Sequence, residues 1–309
     1  MDLLSRMLAE THLESSLLAS LPIAQNGGVD FGQGSGSPTH YVQSGEAWVH
    51  FGQQEPILVR PGDLVMVPRW EWHAMAASPG APTSGIMSIV ERSGEPRWNP
   101  GDLLDRPLRL SINEGAECCH LLSMIFRLNR PESSPLLMSL PSIVLVRRAD
   151  QQLGPIMEAT ARFVAEEASA PAPGYSIASN RLAGLLFIQI IRHQMNHQSG
   201  DVRGFLRALS DKAIGHALTL MHGDLAKPWT LAMLAREIGL SRSALAERFA
   251  RLMGVPFATY LAGLRMEKAA AWLERGESVK SVAALCGYAN GHSFARAEDQ
   301  RAIGTPFVG

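Results

Sequence analysis

The feature that most limits what this chain can fold into is a pattern that occurs twice in its last hundred residues. Leu231, Leu234, Ala235 and Ile238 stand at i, i+3, i+4 and i+7, the spacing of one helix face, and Gly239 follows. Forty-eight residues later Val279, Val282, Ala283 and Cys286 repeat the spacing and Gly287 repeats the glycine. Glycine there suits a turn with a left-handed backbone, which a Cβ would penalise. Gly254-Val255-Pro256-Phe257 closes the first copy as Gly304-Thr305-Pro306-Phe307 closes the second. After Gly239, Ser241 is a good N-cap for a helix that turns Leu245, Phe249 and Leu252 inward and leaves Arg242, Arg248 and Arg251 to solvent or phosphate. Helix, short glycine turn and basic helix make the helix-turn-helix layout, whose second helix enters the major groove of DNA. One such hairpin is a common motif; two at this spacing are far more restrictive.

The run Pro256 to Glu274 between the copies contains no further breaker and predicts a helix of ~28 Å, opened by its proline. That length approaches the ~34 Å repeat of DNA, so two recognition helices could enter successive grooves on one face. Total charge hides this partner. The net charge of the chain is -1, yet residues 205–309 hold 13 Lys/Arg against 9 Asp/Glu, while residues 1–204 hold 15 against 20. An excess of about four is modest, and solvated helical faces produce it too.

The rest of the chain is of another kind. Thr39 to Ser44, Ala47 to Phe51, Pro56 to Val59 and Leu64 to Val67 read as short strands between turn signals, as do Gly85 to Glu91 and Glu117 to Phe126. Such spacing favours a barrel or sandwich. Helices follow at Gly154 to Ser169 and Tyr175 to Gln198, separated by Ala170-Pro171-Ala172-Pro173-Gly174. Leu182 to Ile191 is apolar on more than one face, which fits internal packing on two sides or a homodimer contact. Gln198 to Asp201 reads as a linker. No run reaches the roughly 18 apolar residues of a membrane span, and the start lacks a signal-peptide layout, so a soluble cytoplasmic protein is expected. Three cysteines make neither a disulfide framework nor a cysteine zinc module.

The run Trp229 to Leu245, with Tyr260-Leu261, Arg265-Met266 and Ala283-Ala284-Leu285-Cys286-Gly287-Tyr288, resembles the DNA-binding domain of AraC/XylS-type transcription regulators. Tyr41 to Trp48, and Arg60-Pro61-Gly62-Asp63 through Pro68 to His73, look like the cupin domain of one branch of that family. The resemblance implies an α+β chain of two domains. Residues 1–200 would form a cupin-like β-barrel with flanking helices, and 205–309 an all-α domain with helix-turn-helix units at about 227–254 and 277–304. It implies DNA contacts from Arg242, Ser243, Ala246 and Glu247 in the first unit and from His292, Ser293 and Arg296 in the second, beside Arg251 read from the helix itself. Ser243 can also serve only to support its helix start, and His292 as a capping or core histidine.

The second unit departs from the family at Glu298 and Asp299, where an aromatic is usual. Buried, those carboxylates cost several kcal/mol; exposed, they repel phosphate. Weaker DNA binding by that unit is expected.

Cupin barrels often hold a metal, and Gly62, Pro68 and His73 fit one part of that pattern, but Phe31, Gln33 and Pro38 stand where the other ligands belong. His40 with Cys118, Cys119 and His120 could complete a cluster around His73; the alternative is a satisfied histidine and inert cysteines. No cofactor is expected. Trp48, Trp70 and Trp72, with His40 and His73, suit an aromatic-lined effector pocket, although core packing explains Trp48 equally well. The leading expectation is a non-enzymatic, effector-responsive regulator of transcription. Its partners would be double-stranded DNA, a small molecule, a second copy of the chain and, for an activator, RNA polymerase. The alternatives are a metal-dependent cupin enzyme with a helical appendage and a helical interaction module that no longer binds DNA.

Overall fold

A computed structural model describes residues 2–10, 14–95, 104–110, 112, 115–127, 134–148, 153–197, 204–288 and 294. In chain order the elements are α1 (Leu3–Glu10), β1 (Glu14–Ala24), β2 (Gly28–Asp30), β3 (Ser37–Gly45), β4 (Ala47–Phe51), β5 (Ile57–Val59), β6 (Leu64–Met66), β7 (His73–Ala76) and β8 (Ser84–Gly85). They continue with α2 (Ile86–Arg92), β9 (Leu108–Arg109), β10 (Glu117–Arg127), α3 (Pro135–Met138), β11 (Val144–Val146), α4 (Gly154–Ser169) and α5 (Tyr175–His197). The last six are α6 (Phe205–Ser210), α7 (Lys212–Gly223), α8 (Leu231–Glu237), α9 (Arg242–Met253), α10 (Phe257–Glu274) and α11 (Val279–Leu285). The chain forms two compact units, Thr11–Gln194 and a discontinuous one made of Met1–Glu10 with Met195–Gly309.

The first unit holds two sheets, one of six strands in the order β11-β6-β3-β10-β1-β9 and one of five in the order β5-β4-β7-β2-β8. Period-two alternation drives the layering: Ala19, Leu21 and Ile23 of β1 and Ala47 and Val49 of β4 point into a shared core with Val42 and Leu121. The expected barrel is not closed. The outermost strands β9, β11, β5 and β8 have only two or three residues each, too short to pair one sheet edge with the other. Gly85 to Glu91, expected as a strand, is instead the end of β8 and most of α2. Ile86, Ile89 and Val90 share one helix face against this core, so the helical spacing overrides the β-branched composition. Outside the sheets, α4 buries the stripe Met157, Thr160, Ala161 and Val164, and α5 buries Ala183, Leu186, Phe187, Ile190 and Ile191.

Gly45 sets how closely β3 and β10 approach. Its φ is +69°, and a Cβ there would fall on the carbonyl oxygen of Cys118 and within 2.7 Å of Cys119 Cα. Asp63, which is buried, ties the turn before β6 to the end of β11. It accepts from the backbone N–H of Arg60 at 3.0 Å and of Arg148 at 2.9 Å, and from Arg147 at 2.7 Å.

In the second unit α1 packs on α7, with Leu3 and Met7 buried. Phe249 of α9 meets Tyr260 and Phe257 of α10 edge-on, at 5.7 and 6.1 Å between ring centres. Met266 and Ala269 of α10 form a separate core with Val282, Ala283, Cys286 and Phe294. Among the described residues no helix is long and apolar enough to cross a membrane.

Candidate functional site

The two sequence copies build the same turn. Thr230 Oγ1 accepts from the Met233 N–H to start α8, and Ser278 Oγ accepts from the Ser281 N–H to start α11, both at 3.2 Å. Each seven-residue helix ends on a glycine with φ +73°, Gly239 or Gly287. Each is sealed by an N–H reaching back five residues, Leu240 to Ala235 and Tyr288 to Ala283, at 2.9 Å in both. After Gly239, Ser241 caps α9 through the Ala244 N–H. Arg242, Ser243, Glu247 and Arg251 are exposed on α9 and Ala246 is half-buried, while Leu245, Phe249 and Leu252 are buried. After Gly287 the corresponding residues His292, Ser293 and Arg296, with Glu298 and Asp299, lie outside the described residues.

Arg248, expected free for phosphate, is not. Its Nε and Nη2 both donate to Asp211 Oδ2, at 3.0 and 2.7 Å. Asp211 also caps α7 by accepting from the Ala213 and Ile214 N–H groups. The carboxylate therefore ties α9 to the start of α7. Burial alone would raise the Asp211 pKa; the Arg248 and backbone hydrogen bonds outweigh it and hold the value below the ordinary range. A depressed folded-state pKa contributes stability above the unfolded value of ~3.9 that disappears as pH falls through the folded value. Asp211→Ala is expected to cost about 2 kcal/mol at pH 7, from the cap and the ion pair together. In denaturant titrations across pH that difference shrinks below about pH 4; a difference independent of pH would count against the ion pair.

The first unit encloses a narrow cavity with ≈ 40 Å³ of water-accessible space. Leu21 of β1, Phe31, Leu110, Ile125 and Val90 of α2 line it, with Trp70, His40 and Ser123. Behind His40 stands His73. Their Nε2 atoms are 2.9 Å apart, His40 Nδ1 is 2.8 Å from Ser123 Oγ, and His73 Nδ1 is 2.9 Å from the carbonyl oxygen of Glu71. That carbonyl can only accept, so His73 Nδ1 carries a hydrogen and, in the neutral ring, its Nε2 is bare. His40 Nε2 then donates to His73, and Ser123 Oγ donates to His40 Nδ1. Every atom in the chain is satisfied with both rings uncharged. Burial, followed by the neighbouring His73, holds His40 well below the usual histidine value, and burial brings His73 down to about 4.

Phe31 closes the arrangement, its ring 4.9 Å from His73 and nearly parallel, and 4.2 Å from His40. An apolar ring thus stands beside the two imidazoles, and among the described residues no three His, Cys, Asp or Glu gather as a metal would require. The expected cluster is not assembled. His120 pairs in register with Ser44 while Ser123 pairs with His40, four strand residues and about 13 Å away. His120 bonds Ser20 and Glu117 instead. Cys119 lies in the apolar core, where burial first and Cys118 second push its thiol up to about 12. These residues do not fit a metal.

Trp70 lines the cavity, and its Nε1 donates to the Phe31 carbonyl at 3.1 Å. Trp48 alternates with Ala47 and Val49 on β4 and lies on the strand's other face, and Trp72 is 37% exposed; neither lines the cavity. Ser123 is the residue the sequence reading missed. A single hydroxyl inside the run Leu121 to Phe126 was its signal.

A family described as "Cupin" matches residues 2–196, and one described as "Helix-turn-helix domain" matches residues 234–306. A putative AraC-like transcription regulator of Streptomyces lividans is 27% identical over 99% of this chain and 95% of its own. The HTH-type transcriptional regulator AlkR of Acinetobacter baylyi is 30% identical over 53% and 54%. Among solved structures, ToxT from Vibrio cholerae aligns over 96% of both chains at 11% identity, with a TM-score of 0.35.

Proposed function

The chain belongs to the cupin family and carries an AraC-type helix-turn-helix domain, as AraC/XylS-type transcription regulators do, and from that premise we propose how it reads DNA. The first helix-turn-helix unit, α8 and α9, supplies the main contacts through Arg242, Ser243, Ala246, Glu247 and Arg251. The second supplies weaker ones through His292, Ser293 and Arg296. The observation that carries this reading is the outward face of α9. Arg242 and Arg251 lie exposed there without an ion pair among the described residues, while Arg248 is committed to Asp211. The likeness of the Gly239 and Gly287 turns supports a second unit of the same kind.

A small effector in the cavity beside His40 and Trp70 shifts the population of DNA-competent arrangements. Homodimerisation supported by exposed Ile177 and Leu185 on α5, contact with RNA polymerase and a cytoplasmic location complete the reading. The test combines a gel-shift assay on fragments recovered by genomic footprinting with metal analysis of the purified protein. Retention of footprinted DNA over random DNA is expected. A stoichiometric redox metal with no DNA affinity would instead support the cupin-enzyme reading. Sedimentation equilibrium checks the dimer.

A further inference from the structure

We propose that the cavity of the first unit takes a neutral, largely apolar molecule bearing one hydroxyl group, and disfavours the ketone and the carboxylate of the same skeleton. This rests on reading the chain as an effector-responsive regulator. The hydrogen-bond directions decide the class, because the polar N–H and O–H groups at the wall are already engaged. Ser123 donates to His40, His40 to His73, His73 to the Glu71 carbonyl and Trp70 to the Phe31 carbonyl. What remains is the free lone pair of Ser123 Oγ, an acceptor. A hydroxyl can donate to it. A ketone would bury its oxygen with no donor to meet it, which costs more than leaving that oxygen in water.

Charge excludes the carboxylate. No lysine or arginine lines the cavity, and both histidines are neutral at pH 7, so an anion would be buried without a counter-charge. Apart from His40, Ser123 and the engaged indole of Trp70, the wall is apolar, which suits a compact hydrocarbon skeleton. The space present exceeds what one water needs, roughly 10–15 Å³, but is too small for a ring without adjustment. Met87 supplies that adjustment. It lines the cavity from α2, is 45% exposed, and has the flexible unbranched side chain that can swing outward.

The probes are cyclopentanol, cyclopentanone, cyclopentane and cyclopentanecarboxylate, added to the full chain at pH 7.5, with binding read by ligand-observed NMR and by thermal shift. Cyclopentanol is expected to bind about fivefold more tightly than cyclopentanone, the value of one net hydrogen bond, and the carboxylate not to bind. Ser123→Cys keeps a group beside His40 Nδ1 but offers only a weakly accepting sulfur, and so lowers the preference for the alcohol while leaving cyclopentane affinity little changed. Val90→Trp, which fills the cavity from α2, abolishes binding of the three neutral probes. Ketone or carboxylate binding as tightly as the alcohol, no binding by any probe, or binding unaffected by Val90→Trp would overturn the assignment. The same samples are run in the gel shift. DNA retention without cavity binding defeats this inference alone, whereas no DNA retention by the unmodified chain in any sample, with or without a bound probe, counts against the regulator reading.

Discussion

Gly45→Ala is expected to destabilise the first unit by more than 3 kcal/mol, enough to remove most of the margin of an ordinary domain. Two causes add. The first is conformational: at φ +69° an L-residue pays roughly 1–2 kcal/mol that glycine does not. The second is steric and larger, because the new Cβ meets main chain, the Cys118 carbonyl and Cys119 Cα, rather than a side chain that can swing away. Relief requires β3 and β10 to separate, and that pairing lies at the centre of the six-stranded sheet. Gly52→Ala is the control, since Gly52 has φ +54° and nothing within 4 Å of a Cβ. It should cost only the conformational part, about 1 kcal/mol. Urea unfolding followed by Trp fluorescence measures both. Equal losses would mean that the close approach at Gly45 yields easily.

Arg242→Ala is expected to lower affinity for the cognate site at least tenfold, corresponding to the 1–3 kcal/mol of a side chain reading a base edge or a phosphate. Arg242 is exposed on the first turn of α9, the part of a recognition helix that reaches into the groove. Its substitution should leave the fold intact, since no buried contact is removed. If it meets a base, preference between cognate and altered sites falls; if it meets phosphate, binding weakens alike on all sequences and the salt slope falls by about one. Arg296→Ala should cost less, because Glu298 and Asp299 accompany it and act against phosphate. Equal losses for the two variants at one fixed salt concentration would contradict the unequal roles.

Where sequence pattern and local physics agree, the fold was legible. Ala47–Phe51 and Gly154–Ser169 have the bounds the pattern gave, because alternation and helical spacing respectively are unbroken between turn residues. The Gly239 turn was readable for the same reason: apolar spacing, glycine and the Ser241 cap all point one way. Gly85 to Glu91 reads as a strand because Ile and Val suggest one, while the side on which they are buried is settled only by the sheet beneath. The Asp211–Arg248 pair spans 37 residues, and nothing local in either segment announces it. His40 and Ser123 are 83 residues apart and meet only through the register of β3 with β10. The sequence named the histidine, but the direction of the hydrogen-bond chain, and so the polarity of the cavity, depends on that register.

The place of α1 has a consequence for biosynthesis. It leaves the ribosome well before α7, the helix it packs on, which begins some two hundred residues later. Throughout that interval Leu3 and Met7, buried in the finished molecule, have no α7 to pack on. The order of assembly is thereby fixed: all of Thr11–Gln194 is synthesised before the unit to which α1 belongs can be completed. A fragment beginning at Gly204 inherits the opposite defect, α7 with a bare seat, and is expected to self-associate unless the first ten residues are supplied to it.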